Sequence, residues 1–389
     1  MAISRRVQKF MESASWIRRM FEQGAELKQK HGAANVYDFS LGNPDLEPPA
    51  AFYEALEAVV RDPDHSRHKY MQNAGFPSTR KRIAAKLAAD HGVDPGAAGI
   101  VMTVGAAGAL NVAFKALLDP GNEVLVPSPF FPEYRFYADN HGGRMVPVTT
   151  TPEFALDLDA FRAALHKDVR AVIVNSPNNP TGRVYDQASL DALAALMHEL
   201  APDATLISDE PYRAIVYDGA EQGSVLKATP NSAIATSFSK DLGLAGERIG
   251  YLAVHPEHPD RAGFLGAAVF ANRTLGFVNA PALMQRVIAR LDNVTVDLEE
   301  YATRRKIFLE GLRKAGFECV TPEGAFYLFP KAPIEDDVAF VKSMIEERIL
   351  AVPGSGFGTP GHFRLSYAVP RDVIERSLDA FARARAKFA

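Results

Sequence analysis

Two side chains near the middle of the sequence have types and positions suited to covalent chemistry. Lys240 closes the run Ser237-Phe238-Ser239-Lys240, just past the apolar stretch Ala233–Ser237. A lysine beyond a buried strand loses solvation, which lowers its pKa and frees its amine for a Schiff base. Asp209 ends the apolar stretch Thr205–Ser208. In an open parallel sheet the carboxyl edge is where ligands bind, so both residues are predicted at one such edge. An isolated Ser-x-Ser-Lys is more often a solvated loop lysine, and the neighbours decide between the two readings.

Those neighbours are anion-binding groups. Arg248 lies eight residues beyond Lys240, in Gly246-Glu247-Arg248-Ile249-Gly250. Its guanidinium fork and the Ser237 hydroxyl suit a phosphate. Gly105-Ala106-Ala107 follows the strand-like Ile100–Val104 and opens a helical run, offering bare N–H groups at a positive helix end. Small-residue junctions of this kind are usually only packing features. Together with a candidate Schiff-base lysine, the three elements point to a phosphorylated aldehyde cofactor. Ser176-Pro177-Asn178-Asn179-Pro180-Thr181-Gly182 reads first as a tight turn, and it also puts the Asn179 amide at the same edge. Arg364, in Phe363-Arg364-Leu365-Ser366-Tyr367, is either a solvated strand arginine or a bidentate clamp for a substrate carboxylate.

The elements that must position these groups alternate along the chain. Candidate strands are Ile100–Val104, Glu123–Val126, Arg144–Val148, Ala171–Asn175, Thr205–Ser208, Ala233–Ser237 and Ile249–Val254. Asp157–His166 and Gln187–Leu200 have helical spacing. Seven short strands, apolar on both faces and separated by helices, predict an α/β fold with a mostly parallel seven-stranded sheet covered on both sides. Residues 48–285 are expected to form this large domain, and 1–47 with 286–389 a smaller α+β domain. The latter should contain a long helical pattern over Ala282–Lys314 interrupted near Asp292–Asn293, a strand at Ala325–Phe329, a helix over Asp337–Arg348, a loop at Pro353–Gly361 and a strand at Phe363–Tyr367.

Composition excludes several functional classes. The 389 residues carry 43 basic and 47 acidic side chains, a net charge of −4, without the basic surplus that a nucleic-acid binder needs. No apolar stretch is long enough to span a membrane, and Met1–Lys30 has no apolar signal core. A single cysteine, Cys319, read as a packing residue, gives no disulfide framework and fits a reducing, cytoplasmic compartment. The histidines show no recurring metal-ligand spacing.

With these residues in place, the chain resembles the class I/II aminotransferases, pyridoxal-5′-phosphate enzymes of fold type I. The markers run nearly end to end: Ser40–Asp45, Tyr70 with Gly75, Gly105–Leu110, Pro129–Tyr134, Asn178–Gly182, Asp209–Tyr212, Ser237–Arg248, Gly324–Tyr327 and Arg364–Tyr367. The resemblance implies that Lys240 is the Schiff-base lysine and proton shuttle, and that Asp209 keeps the pyridine nitrogen protonated. It makes Tyr212 and Asn179 the partners of the phenolic oxygen and Phe131 the ring-stacking aromatic. Gly105, Ala106, Ala107, Ser237 and Arg248 match the phosphate site. Tyr70 resembles a tyrosine that reaches the phosphate of a neighbouring subunit, which implies a homodimer with shared sites. Arg364, with the Gly42 backbone and the Asn179 side chain, looks like the α-carboxylate clamp.

The implied reaction moves an amino group from an L-amino acid to a 2-oxo acid, with 2-oxoglutarate as acceptor and ping-pong kinetics. Ala107 stands where many bacterial aspartate-preferring relatives carry a lysine, which speaks against aspartate preference. The basic cluster His65, Arg67, His68 and Lys69 and the single Arg273 are either further anion contacts or solvated loop residues. By the same resemblance, two other classes share the fold: β-eliminating lyases or other α-carbon enzymes, and regulators with a DNA-binding domain ahead of it. The roughly 47 residues expected before the large domain are too few for such an extra domain.

Overall fold

The computed structural model describes residues 3–13 and 24–388, so part of the charged N-terminal stretch and the side chain of His65 lie outside the described residues. Twelve strands are present among them: β1 Tyr37–Asp38, β2 Ile100–Thr103, β3 Glu123–Pro127, β4 Arg144–Val148, β5 Val169–Asn175, β6 Thr205–Asp209, β7 Ser232–Ser237, β8 Gly250–Val254, β9 Tyr327–Leu328, β10 Ile349–Leu350, β11 Val352–Pro353 and β12 Phe363–Ser366. Seven of these form one sheet in the order β2-β8-β7-β6-β5-β3-β4. β8 runs antiparallel to β2 and β7, and the remaining neighbours are parallel.

Side-chain alternation explains why this sheet is covered on both faces. Val124 and Val126 of β3, with Ala171 and Ile173 of β5, pack under the helices Gly105–Leu117 and Arg261–Thr274. Leu125, Val172 and Val174 point the other way, against the helices Pro77–His91 and Gln187–Leu200. The strands are therefore apolar at successive positions, as parallel strands buried on both faces must be. β4 is the exception: it is an edge strand with Arg144 and Pro147 exposed, and an edge is where a proline costs the ladder least.

A second core gathers segments from both ends of the chain. β1 pairs in parallel with β10, which brings Phe39 against Phe308 and Phe381 at ring separations of 4.7 and 5.7 Å. The helices Leu298–Lys314 and Arg371–Ala386 and the sheet β11-β12-β9 close around these rings. The Ala282–Lys314 pattern is interrupted where expected, between helices Ala282–Ile288 and Leu298–Lys314, the second capped by Asp297, whose carboxylate accepts from Glu300 N. Two boundaries depart from the sequence reading. Asp157 caps the helix Leu158–Ala164 rather than joining it. The Asp337 helix ends at Met344 in a short 3-10 turn, Ile345–Glu347. No helix among the described residues is long and apolar enough to cross a membrane.

Candidate active site

β5, β6 and β7 end side by side, and their last residues, Asn175, Asp209 and Ser237, open onto one cavity of about 410 Å³. The Asn175 amide donates to the Asp209 carbonyl at 2.8 Å and accepts from Asn179 N at 2.7 Å, tying the turn after β5 to the end of β6.

Asp209 is 5% exposed. Its Oδ2 accepts a short hydrogen bond from the Tyr134 hydroxyl, whereas Oδ1 is buried without a partner. Burial pushes the carboxyl up to about 7; the Tyr134 bond opposes that rise and the neighbouring Glu210 charge adds to it. An orphaned buried carboxylate oxygen facing a cavity is costly unless a ligand donates to it. A protonated ring nitrogen is the donor that would also restore the charged form.

Lys240 also faces the cavity, so it is not a solvated loop lysine. Its Nζ donates to the Gly42 carbonyl at 2.6 Å. Burial lowers its pKa to about 8, with the Arg364 and Arg248 charges contributing. Gly42 is glycine for a steric reason: a Cβ there would lie 2.0 Å from the Tyr327 hydroxyl.

Arg364 is buried in the same wall and is not a solvated strand arginine. It is 6% exposed, and its guanidinium donates to the Ser40 carbonyl at 2.6 Å and the Asn179 side-chain oxygen at 3.1 Å. The rings of Tyr327 and Phe357 flank it at 4.7 and 4.8 Å, and Nε has no partner. Among the described residues no carboxylate pairs with it, and burial lowers its pKa. A buried guanidinium without an anion is a standing demand for an anionic ligand.

At another part of the wall the helix Gly105–Leu117 begins with no side-chain cap, leaving its first-turn N–H groups free for an anion. Ala106 and Ala107 line the cavity there, with Ser237, Ser239 and Arg248. Gly105 has φ +79°, and a Cβ on it would stand 2.9 Å from Arg248 Nη2. Arg248 itself is left-handed at φ 51° and donates to the Ala245 carbonyl at 2.9 Å. Phe131 lines the cavity and meets Tyr134 edge-on at 5.6 Å, and Tyr212 lies 2.8 Å from Tyr327, hydroxyl to hydroxyl.

Gly42, Ala106, Ala107, Phe131, Asn179, Asp209, Tyr212, Ser237, Lys240, Arg248 and Arg364 thus come together in one wall, with Gly105 directly behind Arg248. Tyr70 does not: it is 90% exposed and outside this wall. Arg273 lies over Phe270 at 5.5 Å on the exposed helix surface, and His68 and Lys69 are solvated. Cys319 packs half-buried against the second core, with burial pushing its thiol up to about 12. Tyr134, Ser239, Tyr327 and Asn175 were not singled out from sequence. Tyr134 and Tyr327 sit inside marker segments, Pro129–Tyr134 and Gly324–Tyr327, but nothing local in those segments says which hydroxyl faces the cavity.

Fold and wall together define a fold-type-I transferase of the pyridoxal-phosphate class. The family model for aminotransferase class I and II matches residues 34–381, and the chain belongs to that family. It is 33% identical to the aspartate/prephenate aminotransferase of Thermus thermophilus over 391 residues, 98% of each chain. It is likewise 33% identical to the probable aspartate aminotransferase of Methanocaldococcus jannaschii, over 89% of this chain and 92% of that one. Among solved structures, an aminotransferase from Eubacterium rectale superposes with a TM-score of 0.95 at 38% identity, covering 100% of this chain and 99% of that one. The Thermus thermophilus aspartate aminotransferase with maleate gives 0.86 at 30% identity, covering 99% and 100%. The protein is therefore an aminotransferase.

Proposed function

We propose that the cavity binds pyridoxal 5′-phosphate and that the enzyme transfers an amino group from an L-amino acid to 2-oxoglutarate in a ping-pong cycle. The observation that carries this reading is the meeting of three groups in one wall: a neutralisable lysine, a buried carboxylate with an orphan oxygen, and a buried guanidinium without an anion. When bound, the cofactor supplies the electron sink that makes a substrate Cα–H acidic.

The chain's own residues do the rest. Asp209, whose Oδ1 has no protein partner, would accept from the ring nitrogen and keep it protonated. Ser237, Ser239, Arg248 and the bare helix start at Ala106 and Ala107 hold the phosphate. Phe131 would cover the ring, and Asn179 and Tyr212 would hold its phenolic oxygen. Arg364 fixes the substrate carboxylate, which limits the orientations open to the Cα–H bond. With its amine free, Lys240 Nζ would take the Cα proton as a general base and return it as a general acid. A wall that buries these groups also excludes water from the reacting carbon.

Lys240, Arg248 and Arg364 are the cations of the wall among the described residues, and each is engaged by cofactor or α-carboxylate in this scheme. Ala107 adds none. A dicarboxylic acid, 2-oxoglutarate included, then needs a second cation from outside this wall, and a partner subunit is the source we propose. That agrees with the homodimer we propose, in which the exposed Tyr70 of each chain reaches the other chain's phosphate site. Residues 48–285 would form the cofactor domain and both chain ends the smaller one.

Adding pyridoxal 5′-phosphate to the purified protein should produce a visible absorbance band that Lys240→Ala lacks. An identical band in Lys240→Ala would contradict the assignment of the lysine.

A further inference from the structure

We propose that Tyr327 is a positioning residue for the transamination site, its hydroxyl driving a hydrogen-bond relay through Tyr212 while its ring seats Arg364; the proposal rests on the cofactor reading above. Tyr327 is 1% exposed and lines the cavity. Three parts of the site converge on it. Its hydroxyl stands 2.8 Å from the Tyr212 hydroxyl. The same hydroxyl presses on the backbone of Gly42, where even a methyl group would lie 2.0 Å away, and Gly42 is the residue whose carbonyl accepts from Lys240 Nζ at 2.6 Å. Its ring lies 4.7 Å from the Arg364 guanidinium.

The relay follows from counting donors. Each phenol has a single O–H to give. Burial raises the pKa of both hydroxyls, so both keep their protons across the working range and either can donate to the other. If Tyr212 gives its only proton to the ring oxygen of the cofactor, its bond with Tyr327 requires Tyr327 as the donor. Tyr327 in turn has no second proton, so its direction is fixed once Tyr212 turns to the ligand. A hydroxyl that accepts one bond donates a stronger one, and the low-dielectric surroundings enhance that effect. Stronger donation draws negative charge from the cofactor's phenolic oxygen, and the Lys240 nitrogen beside it then loses its proton at lower pH.

The test is a pH titration of the holoenzyme's visible band in four proteins: wild type, Tyr327→Phe, Tyr212→Phe and the double variant. Tyr327→Phe keeps the ring against Arg364 and removes only the hydroxyl. The relay predicts a rise in the band's pH midpoint of about one unit in Tyr327→Phe. It predicts no additional rise from Tyr327→Phe in the Tyr212→Phe background, because nothing remains to transmit it. Tyr327→Met, a second removal of the hydroxyl through an unrelated side chain, should move the midpoint in the same direction. A wild-type midpoint in Tyr327→Phe, or a full shift that persists without the Tyr212 hydroxyl, overturns the relay. Absence of any band in the wild-type protein would instead sink the cofactor reading itself, so the two failures are distinct.

Discussion

At the scale of single residues, the site is made of groups held away from their ordinary ionisation. The Lys240 amine, lowered by burial to about 8, is half neutral near that pH, whereas a free lysine is almost fully protonated there. Capture of pyridoxal phosphate by the cofactor-free protein should accelerate as pH rises through about 8 and then level off. A rate that keeps climbing towards the pKa of free lysine would contradict the burial argument. Asp209 has the opposite sign. Its folded pKa of about 7 lies above the unfolded carboxylate value, so the folded chain binds the extra proton between about pH 4 and 7 and loses stability as pH rises through that window. Asp209→Asn should therefore stabilise the cofactor-free protein by roughly 1–3 kcal/mol at about pH 8 and by almost nothing near pH 4, read by chemical denaturation. The same substitution should weaken cofactor binding, because the orphan oxygen is no longer a charge. The placing of both residues at one sheet edge was legible in the sequence, because Asp209 closes one apolar run and Lys240 lies just past another. Tyr134 and Tyr327 were not, since their partners lie 75 and 115 residues away and no local pattern links them.

At the scale of elements, function depends on strand ends that come level. β5 and β6 register so that Asn175 faces Asp209 across the ladder, and β7 runs two residues past Ala235, the partner of Asp209, to place Ser237 on the same cavity. All seven strands of the large sheet were recognisable as short apolar runs, with Arg144–Val148 exact and the other ends displaced by at most two residues. Where the helical pattern ran too long, local end structure was the reason: Asp157 is the N-cap of Leu158–Ala164 and not part of the helix, and the helix from Asp337 tightens into a 3-10 turn after Met344. The phosphate cradle is also an element-level device, because it needs the helix after β2 to start without a cap and close to Arg248. Gly105→Ala would force a left-handed alanine and push on Arg248 Nη2. Its expected effect is a loss of pyridoxal phosphate affinity of about tenfold or more, with little change in fold. Unchanged affinity would show that the cradle tolerates a displaced guanidinium.

At the scale of the whole molecule, two cores hold the two halves of the chemistry. On the large sheet Asp209 ends β6 and Lys240 follows β7, while β12, at the second core, carries Arg364. Charge balance over 389 residues is nearly neutral, so anion binding rests on a few buried placements such as Arg364 and not on a basic surface. The 90% exposed Tyr70 has a use in the scheme only against a second chain. Light scattering should accordingly find dimers, and Tyr70→Phe should weaken cofactor affinity several-fold; a fully active monomer would contradict the shared site. The sequence could not show which surface meets a partner, because exposure is a property of the folded chain.

The central claim, that this wall performs amino transfer, is tested most directly by a half-reaction. Holoenzyme mixed with single L-amino acids and no acceptor should lose its visible band once, releasing one 2-oxo acid per site, and recover the band when 2-oxoglutarate is added. Repeated turnover without an acceptor, with pyruvate and ammonia released from a β-substituted amino acid, would contradict the account and identify an eliminating lyase instead.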